Sequence, residues 1–530
     1  MPDPEETKQR DEPEATKDQG CPIAMYGGKP CGRPLHKAVY PGDRTNVCLM
    51  HTHDPSKDDV AFQAEFERIL RDAGEGCADF SGFVFPSANY AEREFKAECI
   101  FAETTFTHDA YFFGARFMRR ASFHAARFAQ GVVFFGVTFN QVADFNQAAF
   151  ERGAEFSNAI FADDAFFIGV GFEGSAHFSR ATFANAAFFS GATFTRDADF
   201  SGATFTQRAD FGEATFKERA IFRETVFRKD EDRSPGPVFS DARFEKPDAV
   251  TFYKTYLGQA LFHNCDVSKF VFSTVRWRRR SNGKSMVFEE YIDLEHDTAG
   301  ALGPEQHSPD ERNYSLIAEL YQQLKKNYDD RRDYWTAGDF HYGEMEMKRL
   351  ACPRLTWLAW LEAKLSGKPR LRKLGGWCRK LESNPWLLSR VRWWHQRFGL
   401  AAWYRRASDY GESWGKPLLW LFAVLALFAA LYPLLGLRPA AGRSPAAKTT
   451  SVQVQTPSPQ ETDLRYWNYE RPGRLFWHTV MTSLGVAAFQ RDLAYEPSYP
   501  WGRLLALLEL LLTFTLIALF LLAVRRQFRR

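Results

Sequence analysis

The sequence predicts a multidomain protein: a repeat solenoid, then an α-helical region, then a pair of helices long enough to cross a membrane. Three observations carry this reading. Phenylalanine fills 50 of 530 positions, although it is not among the commonest residues of globular chains. Twenty-four of these recur between Phe101 and Phe227 at alternating steps of five and six. Two 21-residue apolar runs, Pro417–Leu437 and Leu504–Val524, sit between basic flanks. The aromatic share of 16% excludes a wholly disordered chain, and 36 Gly with 8 Cys exclude a collagen or disulfide scaffold. A mean hydropathy of −0.38 excludes a many-span transporter but allows one or two spans. A net charge of +3 is no pointer to nucleic acid. The length suits about three to five domains.

Residues 1–20 are polar and lack an apolar run, so they are expected to be a disordered tail without a signal peptide, starting in the cytosol. Thiols in a cytosolic segment are read as free or metal-ligating. Cys21, Cys31, Cys48 and His51 follow the spacing C-x9-C-x16-C-x2-H. That donor set suits tetrahedral Zn²⁺ with all four positions filled, a structural ion. Residues 21–55 are too short and polar to build a core, so the metal would supply folding energy. His53 and His36 are alternative nitrogen donors, and three free thiols with a surface histidine are the competing reading. Over 56–76, Phe62, Phe66, Ile69 and Leu70 recur at helical spacing. A helix there would cap the solenoid that follows.

The ladder has a true period of 11, and the residue two before each phenylalanine is Ala in 18 of 24 cases. An α-helix would turn about 140° over five residues and place the two phenylalanines of a unit on nearly opposite faces. A flat strand fails because five and six have opposite parity. A solenoid remains, with one large and one small side chain pointing inward on each short face. The motifs AlaAspPheSerGly (198–202), AlaAspPheGlyGlu (209–213) and AlaAspPheAsnGln (143–147) resemble the pentapeptide-repeat family. The resemblance covers Cys77 to about Trp277 and implies a right-handed quadrilateral β-helix with four repeats per coil. The sixth residue in alternate units implies a looser corner and 22 residues per coil. About seven coils would make a rod on the order of 32 Å long. The array breaks at Arg228–Val238. It resumes at steps of five through Leu257, Phe262, Val267, Phe272 and Trp277, so the rod is assigned to 77–277. Some family members mimic DNA, but the 18 acidic and 13 basic residues from Asp79 to Glu224 are interspersed. No nucleic-acid partner is expected.

Residues 278–312 read as a linker, and 313–409 as an amphipathic helical region. Leu316, Leu320, Leu324 and Tyr328 recur at fours, and Asp329–Arg349 continues as a second helix. Leu355–Leu365 and Trp377–Trp403 are rich in Trp and Arg, which suits either a membrane surface or packing on neighbouring helices. In the 410–530 region both apolar runs meet the length of a membrane span, 417–437 and 504–524. A buried helix in a large core is the alternative, and the flanks argue against it. Arg390, Arg392, Arg397, Arg405, Arg406 and Lys416 precede the first run, and Arg525, Arg526, Arg529 and Arg530 follow the second. By the positive-inside rule both termini are cytoplasmic, and Trp414, Trp420 and Trp501 suit an interfacial belt. The expected location is a membrane crossed twice, of the bacterial inner-membrane kind.

Between the runs, a stretch low in large apolar residues is expected to be flexible. A short apolar helix at 474–485 follows it. Span, short helix, glycine-containing loop and second span resemble the two-transmembrane potassium-channel pore. The resemblance places Thr482, Ser483, Leu484 and Gly485 where a filter would begin. ValAlaAlaPhe follows Gly485, and the second Gly and Tyr of a Thr-Val-Gly-Tyr-Gly filter are missing, so potassium selectivity is not implied. Glu509 is the one charge inside a run. It is a functional candidate by default, and the resemblance implies that it supports the short helix from behind. No catalytic constellation is evident, and no enzyme is expected. The leading expectation is an ion-channel-like protein, tetrameric if the resemblance holds, with the solenoid as sensor for an unidentified cytoplasmic protein or ligand. A non-conducting, membrane-anchored scaffold is the alternative.

Overall fold

The computed structural model describes residues 20–36, 39–227, 236–292, 314–351, 385–435, 437–439, 472–488, 495–497 and 500–529. Outside them lie nearly all of the expected N-terminal tail, most of the break at 228–238, the Leu355–Leu365 segment and the stretch expected to be flexible between the apolar runs. The chain divides into two compact units, Met1–Asn327 and Tyr328–Arg530.

The first unit is a four-faced β-solenoid followed by a helix. Its strands are two to four residues long and stack in parallel on their counterparts one turn away. Arg127 and Phe128 pair with Ala149 and Phe150, 22 residues on. The first turn is one residue shorter, with Cys77 facing Glu98. Among the described residues the four sheets hold eight, eight, nine and seven strands. The solenoid thus has about nine turns rather than the seven expected. Phe80, Phe85 and Phe95 begin the aromatic stacks before Phe101, and Phe239, Phe244 and Phe252 continue them beyond Phe227. Pro237 and Val238, expected inside the break, already form a strand opposite Ala209 and Asp210.

Every ladder phenylalanine is buried, and so is the small residue two before it. The rings stack face to face along the axis, as in Phe128 on Phe150 at 4.8 Å and Phe150 on Phe172 at 4.9 Å. Adjacent columns meet edge-on, as in Phe145 with Phe156 at 5.5 Å and 86°. The edge-on contacts suit the ring quadrupole, and the parallel stacks follow from the in-register pairing of successive turns. The five- and six-residue corners differ in backbone. In the five-residue corners from Phe101 to Phe211 the amide three positions after the phenylalanine bonds back to its carbonyl, as Ala126 N does to Phe123 O at 3.0 Å. The residue between, two after the phenylalanine, is left-handed: Ala125 at φ 53°, Gln147 at 58°, Arg180 at 57° and Gly202 at 67°. A turn with positive φ at its third position makes the tight corner. The sixth residue of the alternate corners removes that requirement, and no residue there has positive φ.

Helix α1 (Asp59–Ala73) caps the first turn. Asp58 accepts from the Val60 and Ala61 amides at its start. Phe66 stacks on Phe80 at 4.6 Å and on Tyr90 at 4.9 Å, and Phe62 meets Phe85 at 5.1 Å. The last turns pair at a 20-residue spacing, Thr251 with Val271. Residues 278–292, expected as linker, include a hairpin of Arg278–Arg279 with Ser285–Met286, and Val287, Phe288 and Glu290 are buried. The apolar residues among its charges give it a core to join. Helix α2 (Tyr314–Asp330) closes the far end of the solenoid. Asn327 donates to the Val267 and Phe270 carbonyls at 2.9 and 2.8 Å, and Gln323 accepts from Val267 N at 3.0 Å. The Tyr321 hydroxyl donates to Glu290, which also pairs with Arg280.

The second unit holds α3 (Tyr334–Leu350), α4 (Pro385–Phe398), α5 (Leu400–Ser408), α6 (Gly415–Leu435), α7 (Pro472–Ala487) and α8 (Pro500–Arg529). The chain turns sharply at left-handed Arg332, and Asp333 caps α3, so the expected second helix starts a few residues late. Helices α6 and α8 are long and apolar enough to cross a membrane. Both pack on the shorter α7.

Candidate metal centre and a buried carboxylate

Residues 21–33 form a short hairpin. Cys21 N donates to Arg33 O at 2.8 Å and Cys31 N to Ile23 O at 2.7 Å. The hairpin brings residues ten apart in sequence face to face, which accounts for the wide first spacing. Cys48 and His51 share a tight turn, with His51 N on Cys48 O at 3.1 Å. A bridge between Leu35 and Cys48 joins the two pieces. The donor atoms of Cys21, Cys31, Cys48 and His51 all lie within 4.8 Å of one another, so one ion could touch all four. Nδ1 of His51 is 3.5 Å from Cys21 Sγ and 3.2 Å from Cys48 Sγ, and the Cys31 and Cys48 sulfurs are 3.8 Å apart.

The tautomer of His51 follows from its other nitrogen. Nε2 lies 3.0 Å from the Ser81 carbonyl, which can only accept. Nε2 therefore carries the proton, and the Nδ1 lone pair faces the sulfurs, as a ligating imidazole requires. His53 is exposed and sits on Asp43 at 2.9 Å, so it is not part of the cluster. The cluster likewise omits His36, whose amide bonds to Val47 O. The hydrogen bond from Cys48 holds the Cys31 thiol well below the ordinary thiol range, against the opposing effect of burial. The same bond pushes Cys48 up, and burial adds to it. Arg33 Nη1 reaches Cys31 Sγ at 3.1 Å.

The centre is built into the solenoid's cap. Val84 N donates to Met50 O at 2.8 Å, and the His51 ring meets Phe83 edge-on at 5.1 Å. Arg33 pairs with Glu65 of α1 at 2.9 Å. Lys57 is buried over the Phe62 ring and donates to the carbonyls of Thr52, at 3.0 Å, and Val84. Burial pulls its ammonium down to about 8. Arg33, Ser81 and Lys57 carried no sequence signal, since a carbonyl leaves none and lone basic residues are common.

In the second unit Glu509 of α8 is fully buried. One carboxylate oxygen accepts from the Tyr432 hydroxyl of α6 at 2.5 Å, and the other from the Ser483 hydroxyl of α7. Ser483 also reaches Leu425 O at 3.2 Å. One carboxylate thus joins three helices. Thr482, Ser483, Leu484 and Gly485, placed at the start of a filter by resemblance, all lie within α7. Thr482 bonds to His478 O at 2.8 Å, and Ala488 N to Leu484 O at 2.9 Å. The carbonyls of His478 and Leu484 are therefore engaged within the helix. Tyr432 escaped the sequence reading, although a lone hydroxyl in an apolar run was a usable signal.

The four-faced, parallel-stacked fold defines a β-solenoid of pentapeptide repeats. The profile of the family described as Pentapeptide repeats (9 copies) matches residues 167–215 and 189–230. The described part of this stretch, 167–227, lies within the solenoid. No curated protein matches the chain.

Proposed function

We propose that the chain is an ion-channel-like membrane protein with a metal-capped cytoplasmic solenoid as its sensor or docking arm. The carrying observation is the buried Glu509, which holds the short α7 against both long apolar helices through Ser483 and Tyr432. Long helix, short helix and long helix in this order resemble a two-transmembrane pore. In that reading α6 and α8 cross the bilayer, both termini are cytoplasmic, and four copies surround the pathway. The pathway is not of the potassium-filter type, because Thr482–Gly485 are helical. Ion flux into vesicles carrying the purified protein tests it, with Glu509→Ala as the loss-of-function control. The helical state of Thr482–Gly485 also favours a second reading. In it the same helices anchor a scaffold that does not conduct, and the solenoid's partner is the whole function.

The ion in the cap is Zn²⁺ in this account, with a structural role. Tetrahedral zinc places sulfurs about 3.8 Å apart and sulfur and nitrogen about 3.5 Å apart, from bond lengths of about 2.3 and 2.0 Å. The observed separations of 3.8, 3.5 and 3.2 Å are close to these. Metal analysis of the purified protein should return about one zinc per chain.

A further inference from the structure

We propose that α4 and α5 form an elbow that lies in the headgroup region of an anionic lipid bilayer. The inference rests on the membrane reading of α6 and α8. Pro385–Ser408 contains no Asp or Glu but has Arg at 390, 392, 397, 405 and 406. Part of the elbow packs on α3: Gln396 donates to Leu350 O at 3.2 Å, and its own carbonyl accepts from Arg349 at 2.8 Å. Ala402 and Ser408 are buried. Five large apolar side chains among the described ones are left outside. Trp393, Trp394, Phe398 and Trp403 are each 45–57% exposed, and Leu400 is 90% exposed. They do not complete a protein core.

Basic heads cover these rings. The Arg397 guanidinium is 5.0 Å from the Trp393 centroid, and that of Arg406 is 5.9 Å from both Phe398 and Trp403. Aromatic bodies with cationic tips suit the boundary between acyl chains and anionic headgroups. The position along the fold agrees. Trp420 Nε1, in the first turns of α6, donates to Arg406 O at 3.1 Å, and Lys416 pairs with Asp409 at 2.7 Å. Arg526, at the basic end of α8, donates to Tyr410 O at 2.9 Å. The elbow therefore sits level with the ends of both apolar helices, where a bilayer around them would have its headgroups. Its surplus of arginine selects anionic over neutral lipid.

The test uses full-length protein in vesicles of phosphatidylglycerol and phosphatidylcholine. Tryptophan emission is compared between the wild type and a Trp393→Phe, Trp394→Phe, Trp403→Phe variant, so that the difference reports these three rings. Lipid brominated near the headgroup should quench the difference at least about twofold more than lipid brominated near the chain end. Quenching should fall in pure phosphatidylcholine and in an Arg397→Gln, Arg406→Gln variant. A difference signal untouched by either brominated lipid overturns the proposal, whether the rings are open to aqueous iodide or shielded by protein. Equal quenching in neutral lipid overturns the anionic preference. Alkaline extraction separates the two failures. Protein washed off the vesicles defeats the membrane reading and the elbow together, whereas retained protein with unquenched rings defeats the elbow alone.

Discussion

The imidazole of His51 donates from Nε2 to the carbonyl of Ser81 at 3.0 Å while its Nδ1 faces three cysteine sulfurs. One ring thus belongs to both the metal centre and the first coil. If the four donors hold an ion, its loss would free the ring and loosen the coil it holds.

Metal removal should therefore reach beyond the module. Chelation, or Cys48→Ser, is expected to raise amide exchange over 21–57 and also over 77–85, where Val84 N bonds to Met50 O. Coils from about 120 to 220 should keep their protection, because solenoid turns are stabilised mainly by their neighbours. Hydrogen exchange with mass spectrometry reads both regions. An unchanged 77–85 segment would separate the metal from the coil.

The stacked columns set the cost of losing a ladder ring. Phe156 is fully buried between Phe134 and Phe178, at 4.9 and 5.0 Å. Phe156→Ala should cost about 3–5 kcal/mol. Phe113 lies outside the coil, exposed and stacked on Phe135 alone among the described rings. Phe113→Ala should cost less than about 1 kcal/mol. Denaturant unfolding of the two variants should differ accordingly.

Lys57 gives the cap a pH dependence. Burial lowers its ammonium from 10.5 to about 8. Between those values the unfolded chain binds more protons than the fold, so stability rises as pH climbs from about 8 to 10.5. Below that window both states are charged and the cost of burying the charge is fully felt. The difference between wild type and Lys57→Met should grow in favour of the wild type across the window. Thermal unfolding at several pH values measures it, and a flat difference would contradict the burial argument.

Glu509 should matter to the three-helix assembly as a hydrogen-bond acceptor. Glu509→Ala leaves the buried hydroxyls of Ser483 and Tyr432 without this acceptor and is expected to destabilise by about 1–3 kcal/mol for each group left unpaired. Tyr432→Phe removes one partner and should cost less. The double variant should fall short of the sum, since both changes break one contact. Thermal inactivation in detergent gives the comparison.

Much of the solenoid was legible because one residue type carried it. Period and the inward pairing of Phe with Ala follow from counting, and the 22-residue coil from adding the resemblance's four repeats per coil. The left-handed corners at Ala125, Gln147 and Arg180 were not legible, because their residue types differ and only the backbone is shared. The closing of the far end by Asn327 and Gln323 was missed for a similar reason: their partners are main-chain groups far away in sequence. At the candidate metal centre the donor spacing named the four residues whose donor atoms the fold brings within 4.8 Å of one another. The choice of His51 over His53 depended on tertiary contacts with Ser81 and Asp43. The filter expectation came from resemblance alone, and the helical backbone of Thr482–Gly485 does not follow it.

The most direct test of the account is ion flux through purified full-length protein in sealed vesicles under imposed gradients and potentials. The account predicts flux that is lost in Glu509→Ala and shows no strong preference for potassium over sodium. Incorporated, folded protein that passes no ion under any gradient or potential would contradict the channel claim and leave the scaffold in its place.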